Sequence, residues 1–174
     1  APLAGRFAPR NIVAAAVFTT SSVTAFLEKA RDAARAAPLA ARTGAAFRVA
    51  DLASVTIRRQ TGSAPPRFQD SPFSLSQLEG VGRIAFGSFQ SPSFLTAQQI
   101  MASQPSGGRV ATPEASKEIH YHVLLPSTPA PPGGYPVVIA GHGLGGDRWG
   151  ISGSLAAVLA SQGFAVAAMN GVVH

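Results

Sequence analysis

The chain contains no cysteine, which excludes disulfides and thiolate metal sites but not secretion. Charge is sparse, at 13% of 174 residues, and acidic side chains are the scarcer sign. Eight Asp and Glu against fourteen Lys and Arg leave a net charge of +6. The excess is spread thinly, with no Lys/Arg stripe interleaved with aromatics, so a nucleic-acid interface is not expected. It supports only a mild attraction to anionic surfaces. No apolar run reaches the roughly eighteen residues of a membrane span. No internal repeat and no signal peptide is visible, and Ala1 is as compatible with a mature terminus left by processing as with an arbitrary start. Histidines number four: His120, His122, His142 and His174. His120 and His122 stand two apart on an expected strand, a spacing that can ligate a metal. No third ligand is evident, so a solvent-facing pair is expected, with no metal and no cofactor.

Hydrophobic residues make up 46% of the chain, which is enough for a packed core. The length suits one medium domain or part of a larger one. The clearest organisation lies between Tyr135 and Met169. The uncharged, β-branched run Val137-Val138-Ile139-Ala140 reads as a strand buried on both faces. The turn Gly141-His142-Gly143-Leu144-Gly145-Gly146 follows it. Asp147 can N-cap a helix running to about Gln162, with Ile151, Leu155, Val158 and Leu159 on one stripe. Gly163 supplies a left-handed C′ position, and Phe164 to Met169 reads as a second strand. This is a βαβ unit, in which the two strands should lie parallel.

Upstream, Asn11 to Thr19 reads as a strand, the last of a larger unit or an added edge. Ser21 or Ser22 then caps a helix to about Ala37, with Val23, Phe26, Leu27, Ala30 and Ala34 on its apolar stripe. Glu28, Lys29, Arg31, Asp32 and Arg35 form a solvated face. Val55 and Ile57 mark a short strand. Thr61 to Ser76, with Pro65, Pro66 and Pro72, reads as loop. Val81 to Phe89 is a second short strand, broken at Ser91-Pro92-Ser93-Phe94, and Leu95 to Ala102 suggests one or two helical turns. Lys117 to Leu125 is a clear strand, in which Ile119, Tyr121, Val123 and Leu125 alternate with His120, His122 and Leu124. Pro126 to Pro136 is a Pro/Gly-rich surface connection.

Three functions fit the glycine turn. Gly141 to Gly146 satisfies G-x-G-x-x-G between a strand and a helix, as a dinucleotide site requires. The acidic residue expected about twenty residues on is missing, and Asp147 would set a carboxylate beside the pyrophosphate. A tight connection without chemistry, on a non-catalytic scaffold, is the second. The third is an oxyanion turn, because small residues let backbone N–H groups approach a developing negative charge. From about Glu118 to His174 the chain resembles the α/β-hydrolases. The resemblance rests on the strand Ile119 to Leu125, the Pro-Val-Val-Ile strand ending in Gly141-His142-Gly143, the Leu-Ala-x-x-Leu-Ala helix, and Gln162-Gly163-Phe164-Ala165-Val166. Asn170-Gly-Val-Val-His174 is similar to the family's turn after the fourth strand, although Asn170 stands where that turn often has Asp. Val17 to Ser21 and Ile84 to Phe94 resemble secreted bacterial lipases of the virulence-factor type.

This resemblance implies an α/β fold comprising the N-terminal portion of a hydrolase sheet, preceded by a short mixed β/α segment. Residues 1–20 would be a strand at the tail of an upstream β domain. Residues 21–110 would be a helix and mixed connection, and 111–174 the first strands, oxyanion loop and first helix. The implied activity is serine ester hydrolysis of an ester or lipid, in a secreted or periplasmic protein. The backbone N–H of Leu144 would be one oxyanion donor, with Gly143 keeping the turn open and His142 orienting it; Gly145 and His174 would line the pocket. No G-x-S-x-G elbow occurs. Gly150-Ile151-Ser152-Gly153-Ser154 lacks the spacing and a leading strand, so Ser152 reads as an ordinary first-turn helix residue. The nucleophile, acid and base are therefore expected beyond His174, and these residues alone are expected to be inactive. The remainder of the same hydrolase is the expected partner, packing against Val137–Ala140 and Phe164–Met169.

Overall fold

The computed structural model describes residues 24–38, 40–63, 65–98, 100, 113–143 and 145–171. In chain order they form α1 (Ala25–Ala36), β1 (Ala41–Arg48), β2 (Val55–Ser63), β3 (Pro66–Phe73), β4 (Val81–Ser93), β5 (Ala115–Pro126), β6 (Val137–Gly141), α2 (Arg148–Ser161) and β7 (Ala165–Met169). The expected strand over 11–19 and the Ser21/Ser22 cap lie outside the described residues. One mixed sheet runs β1-β4-β5-β7-β6, and β2 and β3 form a separate antiparallel hairpin. Among the described residues only β6 and β7 pair in parallel, with Val138 opposite Val166 and Ala140 opposite Ala168. This is the expected βαβ unit within an α/β arrangement. No described helix is long and apolar enough to cross a membrane.

Both ends of α2 follow from local chemistry. The Asp147 carboxylate accepts the N–H groups of Trp149 and Gly150 at 2.8 and 2.9 Å, satisfying two donors that a helix start leaves open. At the other end Gly163 takes φ +79°. Its N–H reaches the Ala160 carbonyl, and that of Phe164 reaches Leu159. These are the paired bonds of a Schellman motif, which requires a left-handed residue at C′.

The core lies between the sheet and α2. Leu124, Val166, Ala140 and Ala168 of the sheet meet Trp149, Ala156 and Ala160 of the helix, and Ile57 and Phe73 bring in the hairpin. The packed stripe of α2 is Trp149, Ser152, Gly153, Ala156 and Ala160. Of the Ile151, Leu155, Val158, Leu159 stripe expected from hydropathy, Ile151, Leu155 and Leu159 pack against the core partly buried, beside this more deeply buried row. Small residues let the helix approach the strands closely, while Val158 remains 66% exposed.

Several expectations fail for physical reasons. Pro66 to Phe73 is a strand, not a loop, because a two-stranded ribbon has an unpaired side on each strand where a missing N–H costs nothing. β1 went unanticipated because Ala41-Arg-Thr-Gly-Ala-Ala-Phe-Arg48 has no alternation, and every residue of it is exposed. β4 continues through Pro92 to Ser93, paired throughout with β5. Leu95 to Gln98 contains a bridge and a turn instead of helix. β6 is buried on one face only: Val137 and Ile139 are 57% and 73% exposed, since the described residues cover one side of this edge strand. α1 forms where expected but buries none of its residues; its Phe26 ring meets Phe94 edge-on.

Candidate active site

The glycine turn lies where the parallel pair ends and α2 begins. Gly146 N–H bonds the Gly143 carbonyl at 3.0 Å, closing a four-residue turn. Gly145, in third position, takes φ +73°, which a side chain would strain. Leu144 lies outside the described residues, as does His174. His142 and Gly143 sit at the exit of β6, and Gly145 lines the adjacent cavity.

His142 joins the two strand ends. Its Nε2 accepts the Gly171 N–H at 3.0 Å, which leaves Nδ1 as the protonated nitrogen. Nδ1–H then donates to the Gly143 carbonyl, also at 3.0 Å. One neutral tautomer satisfies both bonds, so the ring ties the turn after β6 to the chain leaving β7.

Asn170, given no part by the sequence, closes the start of α2. Its Oδ1 accepts the Arg148 N–H at 2.9 Å. With Asp147 holding the next two N–H groups, the first three donors of α2 are all taken. A pyrophosphate at a helix N-terminus depends on such donors being open, so this geometry opposes a dinucleotide site.

The hairpin forms the second wall. Arg59 Nε lies 3.1 Å from the second oxygen of Asp147, bridging β2 to the helix cap. Between hairpin and turn is a cavity of about 400 Å³, lined by Ile57, Arg59, Gly145, Gly146, Arg148, Trp149 and Asn170 among others.

Beneath the cavity floor lies a buried polar cluster, and here the solvent-facing histidine pair is corrected. His120 is exposed, but His122 has no accessible surface, because α2 packs on its face of β5. Ser152 is equally buried and sits in the second turn of α2, not the first. Its hydroxyl donates to the Arg148 carbonyl at 2.6 Å, so it accepts from His122 Nε2–H at 2.8 Å. The His122 ring lies 4.2 Å from that of Trp149. Burial, and then the nearby Arg148 charge, lower the His122 pKa from 6.5 to about 3, against a smaller opposing effect of Asp147. The imidazole is therefore neutral, and its Nδ1 has no hydrogen-bond partner among the described residues. Ser152, held in a helix and donating to a backbone carbonyl, has neither the strained elbow nor the exposure of a nucleophile.

The sequence missed Arg59, Trp149, Arg148 and Asn170. Asn170 had a visible cue, a polar residue directly after a buried strand. Arg59 had none, because its partner is Asp147 on a distant element. Among the described residues no group of three or more His, Asp or Glu could hold a metal.

The fold is thus an α/β arrangement with a glycine turn and a capped helix at the end of its parallel pair. A family model described as platelet-activating factor acetylhydrolase, isoform II, matches residues 100–172. That is less than half of the chain, but it takes in β5, β6, the turn, α2 and β7. The match supports a hydrolase of esterase or phospholipase type for this stretch. No curated protein and no solved structure matches the chain.

Proposed function

We propose that the chain supplies the oxyanion turn of a serine carboxylic-ester hydrolase whose nucleophile, acid and base lie outside these 174 residues. The observation that carries this is the glycine turn, tied to both strand ends through His142, inside the stretch that resembles the acetylhydrolase family. In this reading the Leu144 N–H is one donor to the tetrahedral oxyanion. The second comes from the residue after the nucleophile. Gly143 and Gly145 keep side chains out of the approach path, and Gly145 and His174 line the pocket. The exposed apolar residues Val137 and Ile139 support the proposal that the rest of the same hydrolase packs on β6, since bare apolar strand edges pair readily. The resemblance to secreted bacterial lipases extends the proposal to a secreted or periplasmic setting and an ester or lipid substrate.

Position 144 provides the test. Leu144→Pro in the full-length enzyme removes the N–H and should lower kcat about 100- to 1,000-fold, the usual loss for one oxyanion donor. Leu144→Ala keeps the N–H and should stay within about tenfold of wild type. Circular dichroism checks that both fold. Equal losses in two folded variants would show that the side chain matters and the amide does not. The 174 residues alone should hydrolyse no p-nitrophenyl ester and take no label from a fluorophosphonate; a labelled serine among them would refute the assignment of the nucleophile.

A further inference from the structure

The cavity beside the turn has a wall that the family match does not reach, because β2 precedes residue 100. On β2 the residues Ile57 and Arg59 share one face by strand alternation, and with Thr61, at the register shift between Gln60 and Gly62, they line the cavity. Arg58, between Ile57 and Arg59 on β2, also lines the cavity. Its guanidinium stands 5.4 Å above the Phe68 ring and 3.9 Å from Asp70. The lining thus holds three arginines; Arg58 already has Asp70 and the Phe68 ring beside its guanidinium, which leaves Arg59 and Arg148 as the candidates for a ligand.

Asp147 is the one carboxylate in the lining, and both its oxygens are committed. One takes the N–H groups of Trp149 and Gly150, the other faces Arg59. Among the described residues the Arg148 guanidinium bonds a neutral acceptor, the His120 carbonyl, through Nη1 at 3.3 Å. Its Nε–H is buried without an acceptor among the described residues. Three arginines against one carboxylate in the lining leave a positive excess, and one buried donor meets no acceptor among the described residues. The helix N–H donors are taken, so the guanidiniums carry the attraction. Burial also holds the Arg148 pKa below its ordinary value, which an adjacent anion would oppose.

Resting on the ester-hydrolase reading, we propose that this cavity receives an anionic substituent of the substrate, a carboxylate or phosphate separate from the scissile ester. Arg148 holds it and Arg59 guards the rim. A guanidinium offers parallel N–H donors to either oxyanion geometry, and such charge-assisted bonds are the strong ones.

The full-length enzyme is assayed on p-nitrophenyl butyrate and p-nitrophenyl hemisuccinate, which differ by a terminal carboxylate on chains of similar length. The hemisuccinate should be favoured roughly 10- to 100-fold in kcat/KM, the range for a hydrogen bond to a charged group. Arg148→Met and Arg59→Gln should each shrink that ratio, and Arg148→Lys should retain part of it. Arg83→Gln, on β4 and outside this cavity, should leave it unchanged. Inorganic phosphate and acetate, as competing inhibitors of butyrate hydrolysis, separate the two anion classes: the stronger inhibitor names the class. Titration calorimetry with inorganic phosphate on the same protein reads binding without chemistry. Arg148-dependent binding without ester hydrolysis would sustain the anion site and reject the hydrolase reading. Ester hydrolysis with no hemisuccinate preference and no inhibition by either anion would overturn the anion site alone. Loss of the preference in Arg83→Gln, with Arg148→Met and Arg59→Gln unaffected, would overturn it as well.

Discussion

His122 should make the stability of this fold steeply dependent on acidity. Its folded pKa is about 3, against 6.5 for a free imidazole, chiefly because burial disfavours the charged ring. The unfolded chain therefore takes up a proton as the pH falls below about 6.5, while the folded chain does not. The folded state binds fewer protons across that window, so stability falls as the pH falls. It is fully present above 6.5 and is lost progressively toward the folded pKa near 3. The slope approaches about 1.4 kcal/mol per pH unit, so by about pH 4.5 roughly 2.7 kcal/mol has been lost relative to alkaline pH. Against a typical domain stability of about 5–15 kcal/mol, this is a large share.

The perturbation is His122→Gln. The glutamine amide can still donate to Ser152 Oγ but does not titrate. Losing the ring contact with Trp149 should cost about 0.5–1.5 kcal/mol at neutral pH. Trp149 is the sole tryptophan and is buried, so its fluorescence reports urea unfolding directly. Carboxylates contribute a background slope that both proteins share, and the difference between them isolates position 122. The stability gap should narrow as the pH falls from about 6.5 to 4.5, and close or invert by the lower value. Parallel pH profiles for the two proteins would refute the claim that His122 is buried and neutral.

Two further substitutions test the packing beneath the turn. Ser152→Ala removes the acceptor for His122 Nε2–H and should cost roughly 1–3 kcal/mol in urea unfolding, while fluorophosphonate labelling of the full-length enzyme persists. Gly153→Ala would ordinarily stabilise a helix interior by up to about 1 kcal/mol. Here the added Cβ would meet Phe73 Cζ at 2.7 Å and Cε2 at 2.8 Å, and that ring already leans on Trp149 at 5.3 Å. A net loss of about 1–3 kcal/mol is expected from overpacking, and a raised Tm would contradict it.

What the sequence made legible was set by residues close together in the chain. Asp147 and Gly163 announce the two ends of α2 because caps are satisfied within one helical turn. β5 was found by its alternation, yet its covered face was assigned wrongly. The row Ile119, Tyr121, Val123, Leu125 is the more apolar. The helix nevertheless packs on the row carrying His122 and Leu124, each at most 1% exposed. Period-two alternation identifies a strand and its two faces. It does not say which face the next helix will cover, and a buried neutral histidine bonded to a buried serine looks polar in one dimension.

The hairpin shows the larger limit. Three prolines within Thr61 to Ser76 read as chain breakers, and in a central strand they would be. In a two-stranded ribbon each strand has a free side, so the same prolines are compatible with pairing from Val55 opposite Phe73 to Ser63 opposite Pro66. Once that hairpin exists, Phe73 lands on Trp149 and Arg59 on Asp147. The turn then gains a wall supplied by a segment outside the family match. Oxyanion donors are backbone groups and depend on the local turn. In the ester hydrolase proposed above, discrimination among esters would depend on the facing wall, which is built from side chains that only the tertiary fold brings to the turn.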